Sequence, residues 1–285
     1  MTAHPTDATP TDSATQTDVP SAASPEPSTT GSGDWRLIWA DEFDGPAGTP
    51  PDPARWRYAL GDGTAESIAG WGNQELQTYT DDPANAATDG ESNLVISALE
   101  ADGSLKCYYG DCRYTSARLL TADRFEFAYG RVESRLRVAP GVGLWSALWM
   151  LGTDIDTVGW PASGEIDIME NVGRDPNKLF GTLHGPGYSG NAGFGTTIDL
   201  PAPLADDFHV YAIEWEPGHI VWTVDGGTYH EATPDDVAPN AWVYDHEFYL
   251  LANLAVGGGL GGPVPAETAF PARYLIDYVR VYQAD

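Results

Sequence analysis

Three carboxylates, Glu165, Asp167 and Glu170, fall within the stretch Gly-Glu-Ile-Asp-Ile-Met-Glu-Asn from Gly164 to Asn171. The residues between them are apolar, so the stretch reads as a buried strand that carries acids. Strand side chains alternate faces, which puts Glu165 and Asp167 together and turns Glu170 away. One extra residue absorbed in a β-bulge, Ile168 or Met169, would bring all three acids to one face. Like charges at close quarters raise the pKa of one carboxyl while a neighbour stays ionised. An ionised carboxylate beside a protonated carboxyl is a nucleophile beside a general acid. Roughly 5–5.5 Å apart, such a pair can cleave a glycosidic bond by double displacement with retention. The plainer reading of the same residues is the solvated face of an amphipathic strand.

The elements that must position these acids read as strands. Trp35–Phe43 opens the series, and Asn93–Leu99 follows the turn at Asp89-Gly90. Gly130–Val138 alternates Val132, Ser134, Leu136 and Val138 with Arg131, Glu133, Arg135 and Arg137, the pattern of a half-buried antiparallel strand. In Leu144–Leu151 the period of two puts Trp145, Ala147, Trp149 and Leu151 on one face. Phe180–His184 comes next, then a Gly/Tyr-rich loop over Gly185–Gly195. A hairpin follows, built from Phe208–Glu216 and His219–Asp225 around Pro217-Gly218. Phe248–Val256 and Tyr274–Tyr282 close the series. No long segment has helical period and no internal repeat is evident. The sequence predicts an all-β fold, a jelly-roll sandwich of two packed antiparallel sheets with a concave substrate cleft.

Composition narrows the partners. A chain of 285 residues with net charge −28 and pI near 4.2 is a poor match for nucleic acid or anionic membrane. A neutral polysaccharide suits it, and 10 Trp with 14 Tyr could line a sugar-sized cleft. Residues 1–34 are rich in Thr, Ser, Pro, Ala and Asp, with five acids and no Lys or Arg. They read as a disordered tail or linker, leaving 35–285 as one catalytic domain. The tail has neither the basic nor the apolar part of a secretory leader, and no run of 18 apolar residues occurs. Cys107 and Cys112, the only cysteines, close a short loop; a disulfide and two free thiols are both open readings, the disulfide implying an oxidising compartment.

Gly-Glu-Ile-Asp-Ile-Met-Glu resembles the active-site signature of glycoside hydrolase family 16. The extra residue before the last Glu is similar to the laminarinase (endo-β-1,3-glucanase) branch. The resemblance extends from about Trp35 to Gln283, through Trp39-Ala-Asp-Glu-Phe43 and Trp71-Gly-Asn-Gln-Glu-Leu-Gln-Thr-Tyr79. It implies Glu165 as nucleophile, Glu170 as acid/base and Asp167 as the assisting acid between them; residue chemistry alone does not assign the order. Asn73 and Glu75 are implied as contacts to sugar hydroxyls, and His184 as a contact to the acid/base or the sugar. Trp145, Trp149 and Trp160 are candidate sugar platforms, because a flat apolar ring covers the C–H face of a pyranose; core packing is the alternative. The family commonly holds a structural Ca²⁺ away from the cleft, which maps to Glu42, Gly90 and Asp277. No cofactor is expected for the chemistry.

The implied activity is retaining endo-hydrolysis of β-1,3-glucan by a secreted monomer. Two alternatives stand within the family: a mixed-linkage β-1,3-1,4-glucanase and a transglycosylase. A third, of another class, is a lectin-like module that holds β-glucan without cutting it, though such modules lose one or both catalytic Glu residues.

Overall fold

The computed structural model describes residues 35–285, so the reading of residues 1–34 as a linker lies outside the described residues. Two large sheets pack face to face. One runs, edge to edge, through Phe194–Asp199, Lys178–His184, Glu165–Val172, Leu144–Gly152, Phe248–Val256, Arg118–Leu120 and Arg57–Tyr58. The other runs through Gly227–Ala232, His219–Val224, His209–Glu216, Gly130–Arg137, Ala272–Ala284, Leu94–Glu100, Tyr114–Ser116 and Gln77–Tyr79. Trp35–Asp41 joins this second sheet beside Ala272–Ala284, and Ala86–Thr88 joins it beside Leu94–Glu100. Pairing is antiparallel except between Gln77–Tyr79 and Tyr114–Ser116. This is the expected jelly-roll sandwich.

Every strand anticipated from periodicity is present, with ends shifted by a residue or two. Phe194–Asp199 and Gly227–Ala232, which pattern alone did not announce, are the edge strands at one side. Their Gly, Thr and charged residues suit an edge that packs on one side only. Between the sheets lie the apolar faces: Leu148, Met150, Ile166, Ile168 and Met169 from the first, Val132, Leu136, Ile213, Trp215, Ile276 and Val279 from the second. Each fully buried side chain of this size contributes roughly 1.5–3 kcal/mol.

The charged side of Gly130–Arg137 departs from expectation. Arg131 and Glu133 are 5% and 2% exposed, although the pattern placed them on an outer, half-buried face. Pairing explains the difference. Arg131 bonds Glu133 at 2.6 Å and Glu214 at 2.8 Å, and Tyr278 Oη donates to the other Glu133 oxygen at 2.9 Å. Buried charges are tolerable when each has a partner.

The acid-bearing strand contains the bulge. Against Leu144–Gly152 its register runs Leu151 to Glu165, Met150 to Ile166 and Trp149 to Asp167, then resumes with Leu148 to Met169 and Ala147 to Glu170. Ile168 is therefore the extra residue. Its side chain is turned into the core, 1% exposed. A bulge frees main-chain groups from the ladder, and the facing sheet supplies donors to them. Trp222 Nε1 donates to the Asp167 carbonyl at 2.8 Å, and Tyr229 Oη reaches the Ile168 carbonyl at 3.5 Å. Gly181, on the neighbouring strand, makes room for both. A Cβ there would lie 2.5 Å from Tyr229 Oη and 2.9 Å from Trp222 Cδ1.

Replacing Trp222 by Phe keeps much of the ring and removes the N–H. The Asp167 carbonyl then lacks its donor in a dry setting, a loss of about 1–3 kcal/mol. The urea midpoint of Trp222→Phe should fall accordingly, and an unchanged midpoint would mean that this hydrogen bond does not support the bulge.

Candidate active site

With Ile168 absorbed, Glu165, Asp167 and Glu170 share the face that carries Leu151, Trp149, Ala147 and Trp145 on the next strand. Asp167 and Glu170 are 3% and 8% exposed, and the Glu165 side chain is 18% exposed. The acids are recessed, with Glu165 the most open to solvent. Each outer acid accepts from an indole: Trp160 Nε1 to Glu165 at 2.7 Å, and Trp145 Nε1 to Glu170 at 2.9 Å. Asp167 is hydrogen-bonded to Glu165.

His184 sits across from Glu165 on the Lys178–His184 strand. Its Nε2 is 3.1 Å from Asp167 and 3.8 Å from Glu165. Of the two contacts implied for it, the acid/base or the sugar, the first is not made: the ladder sets His184 beside the other two acids, at the far end of the row from Glu170. Glu165, Asp167 and His184 offer ligand atoms all within 4.8 Å of one another, the one trio among the described residues spaced to hold a metal ion. Such a set of carboxylates and imidazole equally well shares protons.

Burial dominates the electrostatics. It pushes the Glu165 pKa up from 4.5 to about 8, helped by the Asp167 charge and opposed by His184, the Trp160 donor and Arg118. Asp167 is pushed up to about 8 by burial, against the Glu165 hydrogen bond. Glu170 is raised well above the ordinary carboxylate range, first by burial and then by the charges of both Asp167 and Glu165. The trio therefore carries less than three negative charges near neutrality, and Glu170 is the strongest proton holder of the two outer acids.

The other expected sugar contacts divide. Trp145 and Trp160 lie on the acids, and Trp160 is 48% exposed. Trp149 is half-buried, donates Nε1 to Asn253 Oδ1 at 2.7 Å, and has the Arg118 guanidinium 4.7 Å from its ring centre. Asn73 is exposed, with its amide on Glu75. Glu75 does not present its carboxylate to a substrate: it is 4% exposed, and Asn73, Gln77 and Tyr79 take up both oxygens. Arg118, Asn253 and Tyr79 were missed by sequence reasoning: Arg118 and Asn253 belong to strands with no acid or motif of their own, and in the Trp71–Tyr79 segment only Asn73 and Glu75 were singled out.

The residues assigned to a cation fit only in part. Asp41 pairs with Val279 and Leu94 with Ile276, so the ladders bring the segments of Glu42, Asp277 and the turn at Gly90 to one end of the second sheet. Arg280 holds both Glu42 oxygens at 2.8 Å, and Arg135 holds one Asp277 oxygen at 2.6 Å. What remains to a hard cation is main-chain carbonyls and the second Asp277 oxygen.

The raised pKa values make a prediction about stability. The folded protein keeps the Glu165 proton after the unfolded chain has released it. Stability from that proton is in place below about pH 4.5 and drains away as pH rises towards about 8. Gln cannot ionise, so thermal melts of Glu165→Gln should exceed the parent's by a margin that widens across this window and then levels off. A margin independent of pH would mean that Glu165 titrates normally.

Comparison with known proteins places this geometry. Residues 72–278 match the family described as Glycosyl hydrolases family 16. A β-glucanase of Rhodothermus marinus is 42% identical, over 87% of this chain and 85% of its own. The endo-β-1,3-glucanase of Pyrococcus furiosus superposes with a TM-score of 0.84 at 44% identity, covering 89% of this chain and 96% of that one. The laminarinase catalytic domain of Thermotoga maritima gives 0.83 at 45% identity, over 88% and 99%. The chain belongs to glycosyl hydrolases family 16.

Proposed function

We propose that this protein is a retaining endo-β-1,3-glucanase acting on laminarin-type β-glucan. The observation that carries the reading is the single face on which Glu165, Asp167 and Glu170 meet, with the two outer acids pushed to different degrees. Its similarity to β-1,3-glucanases along most of its length supports the substrate. Retention of all three acids argues against a module that only holds glucan.

Glu170, the stronger proton holder, gives its proton to the departing glycosidic oxygen. Glu165 in its ionised form, with the proton it shares with Asp167 held on Asp167, attacks the anomeric carbon, forming one C–O bond as the other breaks. The indole donors suit both roles: Trp145 stabilises Glu170 once it has lost its proton, and Trp160 orients the attacking Glu165. Glu170 then takes a proton from water, whose oxygen displaces Glu165 on the opposite side. Two inversions give net retention. Trp160 and Trp149 serve as sugar platforms, Trp145 fixes the acid/base, and Asn73 binds a hydroxyl. His184 holds the Asp167–Glu165 pair rather than the leaving group.

The protein as we read it is a secreted monomer. The Cys107–Cys112 disulfide supports an oxidising compartment. A structural Ca²⁺ bound by carbonyls near Glu42 and Gly90 and by Asp277 would stabilise the fold by mass action.

Incubation with laminarin, lichenan and agarose tests the substrate. Oligosaccharides of mixed length should come from laminarin, with the β-anomer released first; release of the α-anomer or of glucose alone would refute the retaining endo mechanism. Glu165→Gln and Glu170→Gln should each reduce turnover about a thousandfold or more, the scale of losing a nucleophile or an acid/base. Chelation should lower the melting temperature, and a melt indifferent to chelator would remove the calcium assignment.

A further inference from the structure

The side chains behind Trp149 form a chain of hydrogen bonds that all point one way. Trp149 Nε1 donates to Asn253 Oδ1 at 2.7 Å, Asn253 Nδ2 donates to Tyr79 Oη at 3.1 Å, and Tyr79 Oη donates to Glu75 Oε2 at 3.3 Å. The two ends dictate that direction. An indole N–H can only donate, and an ionised carboxylate can only accept. Asn253 and Tyr79, which could each serve either way, have no freedom left.

The far end is built to stay in place. Asn73 and Gln77 also donate to Glu75, at 3.1 and 2.6 Å. Gln77 is tied in turn by accepting from Val256 N at 2.8 Å. Gln77, Tyr79, Asn253 and Glu75 are all under 10% exposed, at 0%, 2%, 6% and 4%. Arg118 lies between the rings of Trp71 and Trp149, 4.7 Å from each; burial raises the Glu75 pKa, and the amide donors of Asn73 and Gln77, the Arg118 charge and the Tyr79 hydroxyl oppose that rise by favouring the carboxylate. The near end reaches the acids. Trp149 is the direct cross-strand partner of Asp167, and Asn253 stands opposite Ala147, which stands opposite Glu170.

We propose that Glu75 is a positioning residue for substrate binding: its carboxylate sets the direction of the Tyr79 and Asn253 hydrogen bonds and so holds the Trp149 ring in one orientation beside the acids. The proposal rests on Trp149 being a sugar platform. An amide at position 75 can donate to Tyr79, which then turns its own O–H to Asn253. Asn253 responds by flipping, and its NH₂ meets the Trp149 N–H, donor against donor.

Kinetics on laminarin with all three acids intact test this. Glu75→Gln and Tyr79→Phe should each raise KM about tenfold, the worth of one hydrogen bond, while kcat stays within about twofold. Trp149→Phe should raise KM by itself, and adding Glu75→Gln to it should raise KM no further, because the group being oriented has lost its N–H. Glu75→Gln and Trp149→Phe multiplying independently would overturn the proposal, as a purely structural Glu75 predicts that result. An unchanged KM in Trp149→Phe would overturn it too. If Glu75→Gln does not fold, Tyr79→Phe in the two backgrounds decides the same question. These readouts concern KM, so they fail separately from the loss of turnover expected of the acid-to-amide variants.

Discussion

The structure turns on a pair of main-chain carbonyls. Inserting Ile168 into the acid-bearing strand swings Glu170 onto the face of Glu165 and Asp167, and disrupts the ladder at that point. An unsatisfied buried carbonyl costs enough to favour the regular strand. The donors from Trp222 and Tyr229 offset that cost, and they arrive from the opposite sheet through the space that Gly181 leaves. The sandwich thus does more than support the acids. Its second layer fixes the conformation that puts them on one face.

The two sheets treat buried charge in opposite ways. On the second sheet, Arg131 is shared between Glu133 and Glu214, so each acid has a positive partner, and the Tyr278 hydroxyl completes the set. On the first, three acids are drawn together with the His184 imidazole against two of them and the charge of Arg118 more distant. The first arrangement serves the fold. The second raises proton affinity, holds a carboxyl protonated where water would ionise it, and makes the fold less stable as pH rises. A group tuned for chemistry here is destabilising by the same physics that makes it useful.

Aromatic residues take several distinct parts on this framework. Trp145 and Trp160 donate to the outer acids, Trp222 braces the bulge, and Trp149 stacks with Arg118 while bonded to Asn253. In each case the N–H is spent on one acceptor, and in Trp222 the ring also fills the core. That pairing of area and direction makes indole effective for holding polar groups in register.

The strands were legible in the sequence because alternation is a local property: Gly130–Arg137, Leu144–Gly152 and Phe248–Val256 declare themselves by their own residues. So was the need for a bulge, since three acids cannot share a face of a regular strand at positions 165, 167 and 170. The sequence could not choose between Ile168 and Met169 as the extra residue. That depends on which side chain packs into the core across from Leu148, a contact between strands. Nor could it rank the acids, because proton affinity follows from burial and from the charges that Asp167 and Glu165 impose on Glu170 through space. Glu75 shows the same division. The family resemblance implied a contact from Glu75 to sugar hydroxyls, but Tyr79 folds back on it and Asn253, far along the chain, extends the connection to Trp149. Periodicity and residue type determined the strands and the chemistry available to them. Only the packing of distant segments decided which atoms meet, because hydrogen bonding and desolvation depend on distance in space.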